Sequence, residues 1–255
     1  MTQKIAYLDC HSGISGDMLL GSLLDASLSF ETLRTALAVL PLEGYDIRYT
    51  PFQDQGITGS RFEVTLSNHK QPARGYNDIV ALLQASDIPP AIRERSMAIF
   101  RTLGEAEAAI HGININDIHF HELGAIDTII DVVGTCIAID ALEIKQVYVS
   151  PLPLTRGHIR MAHGLLPLPA PATLEILSKV KAPWFPTSIE GELVTPTGAA
   201  ILATIAHFAL PAIAIEKVGY GFGQKRLPWP NCLRACLGTA YDQTATENEH
   251  NHHYH

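Results

Sequence analysis

Two clusters of side chains have the residue types and spacing of a reactive centre. The first is Asp9-Cys10-His11-Ser12-Gly13-Ile14-Ser15-Gly16-Asp17. An apolar run, Ile5–Leu8, ends at Asp9, two glycines permit a tight turn, and a helical pattern begins at Ser15. Backbone N–H groups in such a turn can form an anion nest, with Ser12, Gly13, Ser15 and Gly16 as its candidate residues. No Lys-Ser/Thr follows the second glycine, so the turn is not a P-loop. Asp9 and His11 share a face if the strand continues, and Asp17 falls in the first helical turn. These three are the candidate catalytic acids and bases. A capped strand–turn–helix with a solvated acid is the plain structural alternative. Cys10 reads as packing at a buried strand end rather than as a nucleophile.

The second cluster is His119-Phe120-His121-Glu122, followed by Asp127 and Asp131. In an extended segment His119 and His121 project from one face, and Asp127 and Asp131 share a face of the next helix. Two imidazoles with one or two carboxylates is a usual donor set for Ni, Zn, Mn or Fe. Like charges at i,i+4 destabilise a helix mildly unless a cation or base lies between them. The expectation is one metal site built from His119, His121 and Asp127, facing the same cleft as the Asp9–Asp17 turn, with Glu122 and Asp131 as further ligands. For the His-x-His pair alone, a bland surface pair is the alternative.

Further oxygen and nitrogen donors are His163, Glu190 and Glu192. Thr195 reads as a helix cap ahead of Pro196. Gly219-Tyr220-Gly221-Phe222-Gly223 follows a strand, but no helix follows it, so the dinucleotide reading fails and a flexible ligand-facing or hairpin loop is expected. His250, His252, His253 and His255 sit close together near the end of the chain, where they could capture Ni(II), Cu(II) or Zn(II). An expression tag is the alternative, but Asn251 and Tyr254 interrupt the run.

The elements that must position these groups alternate without a clean βαβ period. Strands are expected at Ile5–Leu8, at Tyr45–Phe52 and Arg61–Ser67 as a hairpin, at Val147–Val149, Ala212–Val218 and Cys232–Leu237. Helices are expected at Ser15–Ala26, Glu31–Leu40, Tyr76–Gln84, Ala91–Ile110 with Gly112 as its stop, Ala125–Leu142, Thr173–Ser178 and after Thr195. The predicted fold class is α+β: one mixed sheet with packed helices, followed by a disordered C-terminal tail. Residues 1–241 read as one domain. Residues 242–255 carry no aliphatic side chain larger than Ala and are expected to be the disordered tail.

The 255 residues are 47% hydrophobic and 17% charged, which excludes general disorder. A net charge of -8 with no basic run argues against a nucleic-acid partner. Four Cys without a CxxC pair point to a reducing, cytoplasmic compartment. The segment Leu193–Ile215 lacks charge, but Pro196, Thr197, His207 and Pro211 divide it into a helix and a strand too short to cross a bilayer, so no membrane partner is expected. The N-terminal apolar stretch is too short for a secretory signal. A homo-oligomer is left open.

Five motifs, in order, resemble the nickel-insertion proteins of nickel-pincer cofactor biosynthesis, the LarC family. They are YLDCHSGISGDMLLGSLLDA, HFHELGAIDTIIDVVG, SPLPLTRGHIRMAHGLLPLPAPAT, EGELVTPTGAA and KVGYGFG. The resemblance runs from Ile5 to about Leu237. It implies a nickel-inserting lyase, a cyclometallase. A pyridinium mononucleotide carrying two thiocarboxylates receives Ni(II), and a nickel–carbon bond forms as a ring C–H proton leaves. It also implies CTP, bound with a divalent metal by a C-terminal region that this chain lacks. The expected partners are therefore the pyridinium mononucleotide and a separately made C-terminal region, without which the chain is expected to be incomplete. Two other classes compete. A metal-dependent hydrolase would use His119, His121 and Asp127 to activate water. A non-enzymatic nickel carrier would rely on the tail.

Overall fold

The computed structural model describes residues 3–67, 74–120, 125–161 and 164–241. The first apolar run is strand β1 (Lys4–Asp9), and the glycine turn leads into helix α1 (Gly16–Ala26) as expected. Helix α2 (Phe30–Leu37) starts where the Ser29 hydroxyl accepts the Thr32 N–H, and it stops ahead of Pro41. The predicted hairpin is β2 (Tyr45–Asp54) and β3 (Ile57–Leu66), turning through Gln55 and Gly56 at positive φ. Strand β4 (Arg74–Gly75), α3 (Tyr76–Ala85) and α4 (Pro90–His111) follow, and Gly112 ends α4 at φ 65°. The short β5 (His119–Phe120) pairs with β4, and α5 (Ile126–Ala141) and β6 (Gln146–Val149) come next.

The Pro-rich path is more regular than its composition suggests. It contains β7 (Leu152–Arg156), β8 (His158–Met161) and β9 (Gly164–Pro167), then α6 (Pro171–Lys179). Strand β10 (Trp184–Glu190), which has no expected counterpart, pairs in parallel with β7. Helix α7 (Pro196–Ile205) is capped by Thr195, whose hydroxyl accepts the Gly198 N–H at 3.1 Å. It passes into β11 (Ala206–Phe208), and β12 (Ile213–Phe222) and β13 (Cys232–Ala240) close the fold. Among the described residues no helix is long and apolar enough to cross a membrane.

Seven strands form one mixed sheet in the order β11-β6-β1-β13-β12-β3-β2. Strand β1 lies parallel to β6 and antiparallel to β13, which in turn runs antiparallel to β12. The fold is α+β, as the pattern of elements predicts. Helices α1, α5 and α7 pack against the sheet. Strand alternation sends Ala6, Leu8, Val147, Val149, Ala235 and Leu237 into this buried layer. Tyr7, Asp9, Tyr148, Val218 and Arg234 fall on the opposite face, which is more open to solvent.

The glycine motif Gly219–Gly223 departs from its expected role as a loop. Through Phe222 it is strand β12, and its helix-facing glycines are where α1 lies down. A Cβ on Gly221 would come 1.9 Å from the Met18 carbonyl oxygen, and one on Gly219 would come 2.1 Å from that of Ser22. The glycines allow the helix backbone to rest directly on the strand.

Candidate functional site

Helices α1 and α5 start side by side, and this places their first-turn acids in one space. Asp17 lies in the first turn of α1, and Asp127 and Asp131 lie one turn apart at the start of α5. All three line a cavity of about 450 Å³, together with Phe62–Thr65 of β3 and the threonines at the start of α7. The close approach depends on Gly16. A Cβ there would sit 2.4 Å from both Cβ and Oδ2 of Asp131. The second glycine of the turn therefore makes room for a carboxylate from another helix.

The three acids are held differently. The Asp17 Oδ1 accepts from the Ser15 hydroxyl and, at 2.9 Å, from the Met18 N–H. The Asp127 Oδ1 accepts the Thr128 N–H at 2.8 Å. The Asp131 Oδ1 is buried and has no hydrogen-bond partner among the described residues. Burial pushes the Asp131 carboxyl well above the usual carboxylate range, and the charges of Asp17 and Asp127 push it further. Burial also raises Asp17; its hydrogen bonds oppose the shift and the Asp127 charge adds to it. A cluster that resists ionisation and leaves an acceptor unsatisfied suits a held or transferred proton.

A second cavity, of about 380 Å³, shares Ser15, Asp17, Thr195 and Gln224 with the first. Ser12 and Glu192 line it, as do Lys225 and Asn231. Of the residues singled out in the sequence, Ser12, Ser15, Gly16, Asp17, Asp127, Asp131 and Glu192 thus meet along the two cavities. Gly13 serves the turn at φ 89°, where a Cβ would come 2.0 Å from the Leu193 carbonyl oxygen. Two N–H groups of the turn are taken by the protein itself. The Gly13 N–H donates to the Cys10 carbonyl and the Ile14 N–H to that of Leu193, both at 2.8 Å.

Asp9, His11, Glu190 and His119 line neither cavity. Asp9 ends β1 on the sheet face away from the helices and pairs with Arg234 at 2.5 Å. His11 lies beyond the strand end and stacks on Phe185, with ring centroids 5.6 Å apart, beside Trp229. The expected partnership of Asp9 with His11 is therefore replaced by two separate structural contacts. His119 is exposed on β5 next to Gly75, so the turn shares its cleft with the acids of α5 but not with this imidazole. Among the described residues, no group of three or more His, Cys, Asp or Glu side chains is gathered closely enough to hold a metal ion. His121, Glu122, His163 and the four tail histidines lie outside the described residues. Cys10 is fully buried, and burial pushes its thiol well above the usual range, consistent with packing.

Sequence reasoning missed Lys225, Asn231, Gln224 and the β3 wall. The signal available was position: Gln224 and Lys225 directly follow the glycine motif that ends β12.

Helices α1 and α5 thus present acids to one cleft of an α+β domain. The chain matches the family model described as nickel insertion protein over residues 6–254, and it belongs to that family. It is 49% identical, over 243 residues, to the pyridinium-3,5-bisthiocarboxylic acid mononucleotide nickel insertion protein of Desulfitobacterium hafniense (strain DSM 10664 / DCB-2). That alignment covers 94% of this chain and 60% of the relative. A Thermomicrobium roseum protein named for nickel insertion is 47% identical over 239 residues, covering 93% of this chain and 59% of the relative. The chain thus spans about three fifths of the length of these curated relatives. No solved structure matches it.

Proposed function

We propose that the chain takes part in inserting Ni(II) into pyridinium-3,5-bisthiocarboxylic acid mononucleotide, the reaction named in its Desulfitobacterium relatives. The observation that carries this reading is the convergence of Asp17, Asp127 and Asp131 on one cavity, with the Asp131 Oδ1 buried and unpartnered. Nickel is a substrate here and has to leave. Carboxylate oxygens are hard donors that hold Ni(II) less tightly than thiolates, so Asp127 and Asp131 receive the ion and yield it to the softer sulfurs of the substrate. The ring C–H electron pair becomes the nickel–carbon bond, and the proton passes to a base. Asp17, at the junction of the two cavities, is placed to take that proton and to face the pyridinium charge.

The lyase classification, the cytoplasmic location, the supply of nickel by His119, His121, Glu122, His163 and the tail histidines, and the CTP dependence belong to this proposal. CTP and its divalent metal are assigned to the part of the longer relatives that this chain does not span, acting as a partner region. The test is formation of the metallated mononucleotide, followed by mass and absorbance, from Ni(II), the bisthiocarboxylate and CTP with magnesium. It is run with this chain alone and with the remaining region of a relative added. The expected result is product only in the second case, and at least ~10-fold less with Asp127→Asn or Asp131→Asn. Undiminished product from the double variant would overturn the assignment of the acids, and nickel binding with no product under either condition would favour a carrier.

A further inference from the structure

The half of the cleft away from Asp127 and Asp131 has a chemistry of its own. The loop joining β12 to β13 forms its wall and is pinned to the Ser12 turn. The Gly223 N–H donates to the Asn231 carbonyl at 2.9 Å, and the Trp229 indole N–H donates to the Ser12 hydroxyl at 3.0 Å. Ser12 in turn donates to the Pro230 carbonyl at 3.2 Å. Lys225 Nζ donates to the Glu192 carbonyl at 2.6 Å and lies within reach of the Glu192 carboxylate charge, which stations an ammonium at the cavity.

Asn231 is only 4% exposed. Its Nδ2 donates to the Lys225 carbonyl at 2.8 Å, while its Oδ1 is buried with no hydrogen-bond partner among the described residues. An orphaned acceptor in the wall of a cavity needs a donor, and the donor is not an anion. A hydroxyl supplies it. The cavity therefore offers an ammonium for one negative group and a buried acceptor for a hydroxyl, with the Asp17 carboxylate at its junction with the acidic half. The glycine turn is the weaker place for the negative group, because its N–H donors at Gly13 and Ile14 are engaged and Asp17 stands at the helix start.

We propose that this half-cleft seats the ribose phosphate of a pyridinium mononucleotide, with Lys225 Nζ on the phosphate and Asn231 Oδ1 accepting from a ribose hydroxyl. The cationic ring then lies over Asp17, pointing toward Asp127 and Asp131. The proposal rests on the nickel-insertion reading and assigns the orientation of its substrate.

Calorimetry on the full chain tests it with nicotinic acid mononucleotide as a sulfur-free probe, its phosphate-free riboside, and the 2′,3′-dideoxy riboside. The mononucleotide should bind at least ~10-fold more tightly than the riboside. Lys225→Met should erase that difference while leaving riboside affinity within about twofold, and Lys225→Arg should keep most of it. The riboside should outbind its dideoxy analogue, and Asn231→Ala should make the two equal. The proposal is overturned by equal affinity for mononucleotide and riboside in the unaltered chain, by no binding of either, by a phosphate increment that survives Lys225→Met, or by a hydroxyl preference that survives Asn231→Ala. Product formation with the bisthiocarboxylate, in the presence of CTP, magnesium and the remaining region of a relative, separates the two readings. Binding as described without metallation refutes nickel insertion and leaves the subsite standing. Metallation unchanged by Lys225→Met does the reverse.

Discussion

The two faces of the central sheet treat the same residue types in opposite ways. Asp9 and Asp17 bracket one turn, yet Asp9 is neutralised by Arg234 on the open face, while Asp17 is buried among other acids on the helical face. Glycine shows the same contrast. At the exposed tip of the β2–β3 hairpin Gly56 has nothing within 4 Å of where a Cβ would be, whereas on the helical face a Cβ on Gly221 would strike the backbone of α1. Chemistry that needs a retained proton is housed where packing is tightest, because burial and neighbouring carboxylates both disfavour ionisation there.

The sharpest way to break this comparison is to add a side chain on each face. Gly221→Val places branched carbon against the Met18 carbonyl, and we expect a loss of about 3–5 kcal/mol. Val218→Thr, on the open face of the same strand, should stay within about 0.5 kcal/mol. Thermal midpoints of the two variants give the ratio, and comparable losses would mean that the open face is covered in solution.

Gly16→Ala should cost about 1–3 kcal/mol, because the new methyl overlaps Asp131. It should also depress metallation as strongly as Asp131→Asn does. Adding Asp131→Ala should recover stability but not product, and full additivity of the two changes would show that they do not touch.

The third effect depends on pH. The folded protein holds a proton on Asp131, and to a lesser degree on Asp17, in a range where the unfolded chain has already released it. Stability from this source is complete below the ordinary carboxylate range and is lost as pH rises through the elevated folded values. In metal-free, chelator-treated protein the thermal midpoint should therefore fall with rising pH across that window, and Asp131→Asn should flatten the slope. A midpoint that climbs through the same window would contradict the burial of this carboxyl.

The smallest effect belongs to the ion pair on the open face. Asp9→Asn should change stability by less than about 1 kcal/mol, since the pair is partly exposed, and should leave metallation within about twofold. A large loss of product would return Asp9 to the reactive centre.

Local signals carried much of the fold. Gly112 ending α4, Thr195 and Pro196 opening α7, and the glycine turn into α1 are all written in short stretches of chain. The acids of α5 were legible for the same reason, as in-phase charges on an otherwise apolar helix. Gly219 and Gly221 were not, because a glycine that admits a helix backbone has the same sequence signature as one that frees a loop. Asp9 parts from His11 because the alternation of Tyr7 and Leu8 assigns it to the open face of the sheet. Lys225 and Asn231 act only through a loop that folds back onto Ser12, a contact between segments at opposite ends of the domain.

The β2–β3 hairpin supplies Phe62, Glu63, Val64 and Thr65 to the cleft, yet its ladder to the rest of the sheet is the single register pair Gly221–Ser60. Its inner edge is otherwise held by side chains: the Ser60 hydroxyl donates to the Gly21 carbonyl of α1 at 2.8 Å, the Arg61 guanidinium donates to the Gly223 carbonyl at 3.3 Å, and the Phe52 ring meets that of Phe222. A strand joined at one ladder step leans on side chains for its place, so the cleft wall that faces the acids is set by the buried Phe62 and by the Phe52 ring against Phe222 more than by backbone pairing.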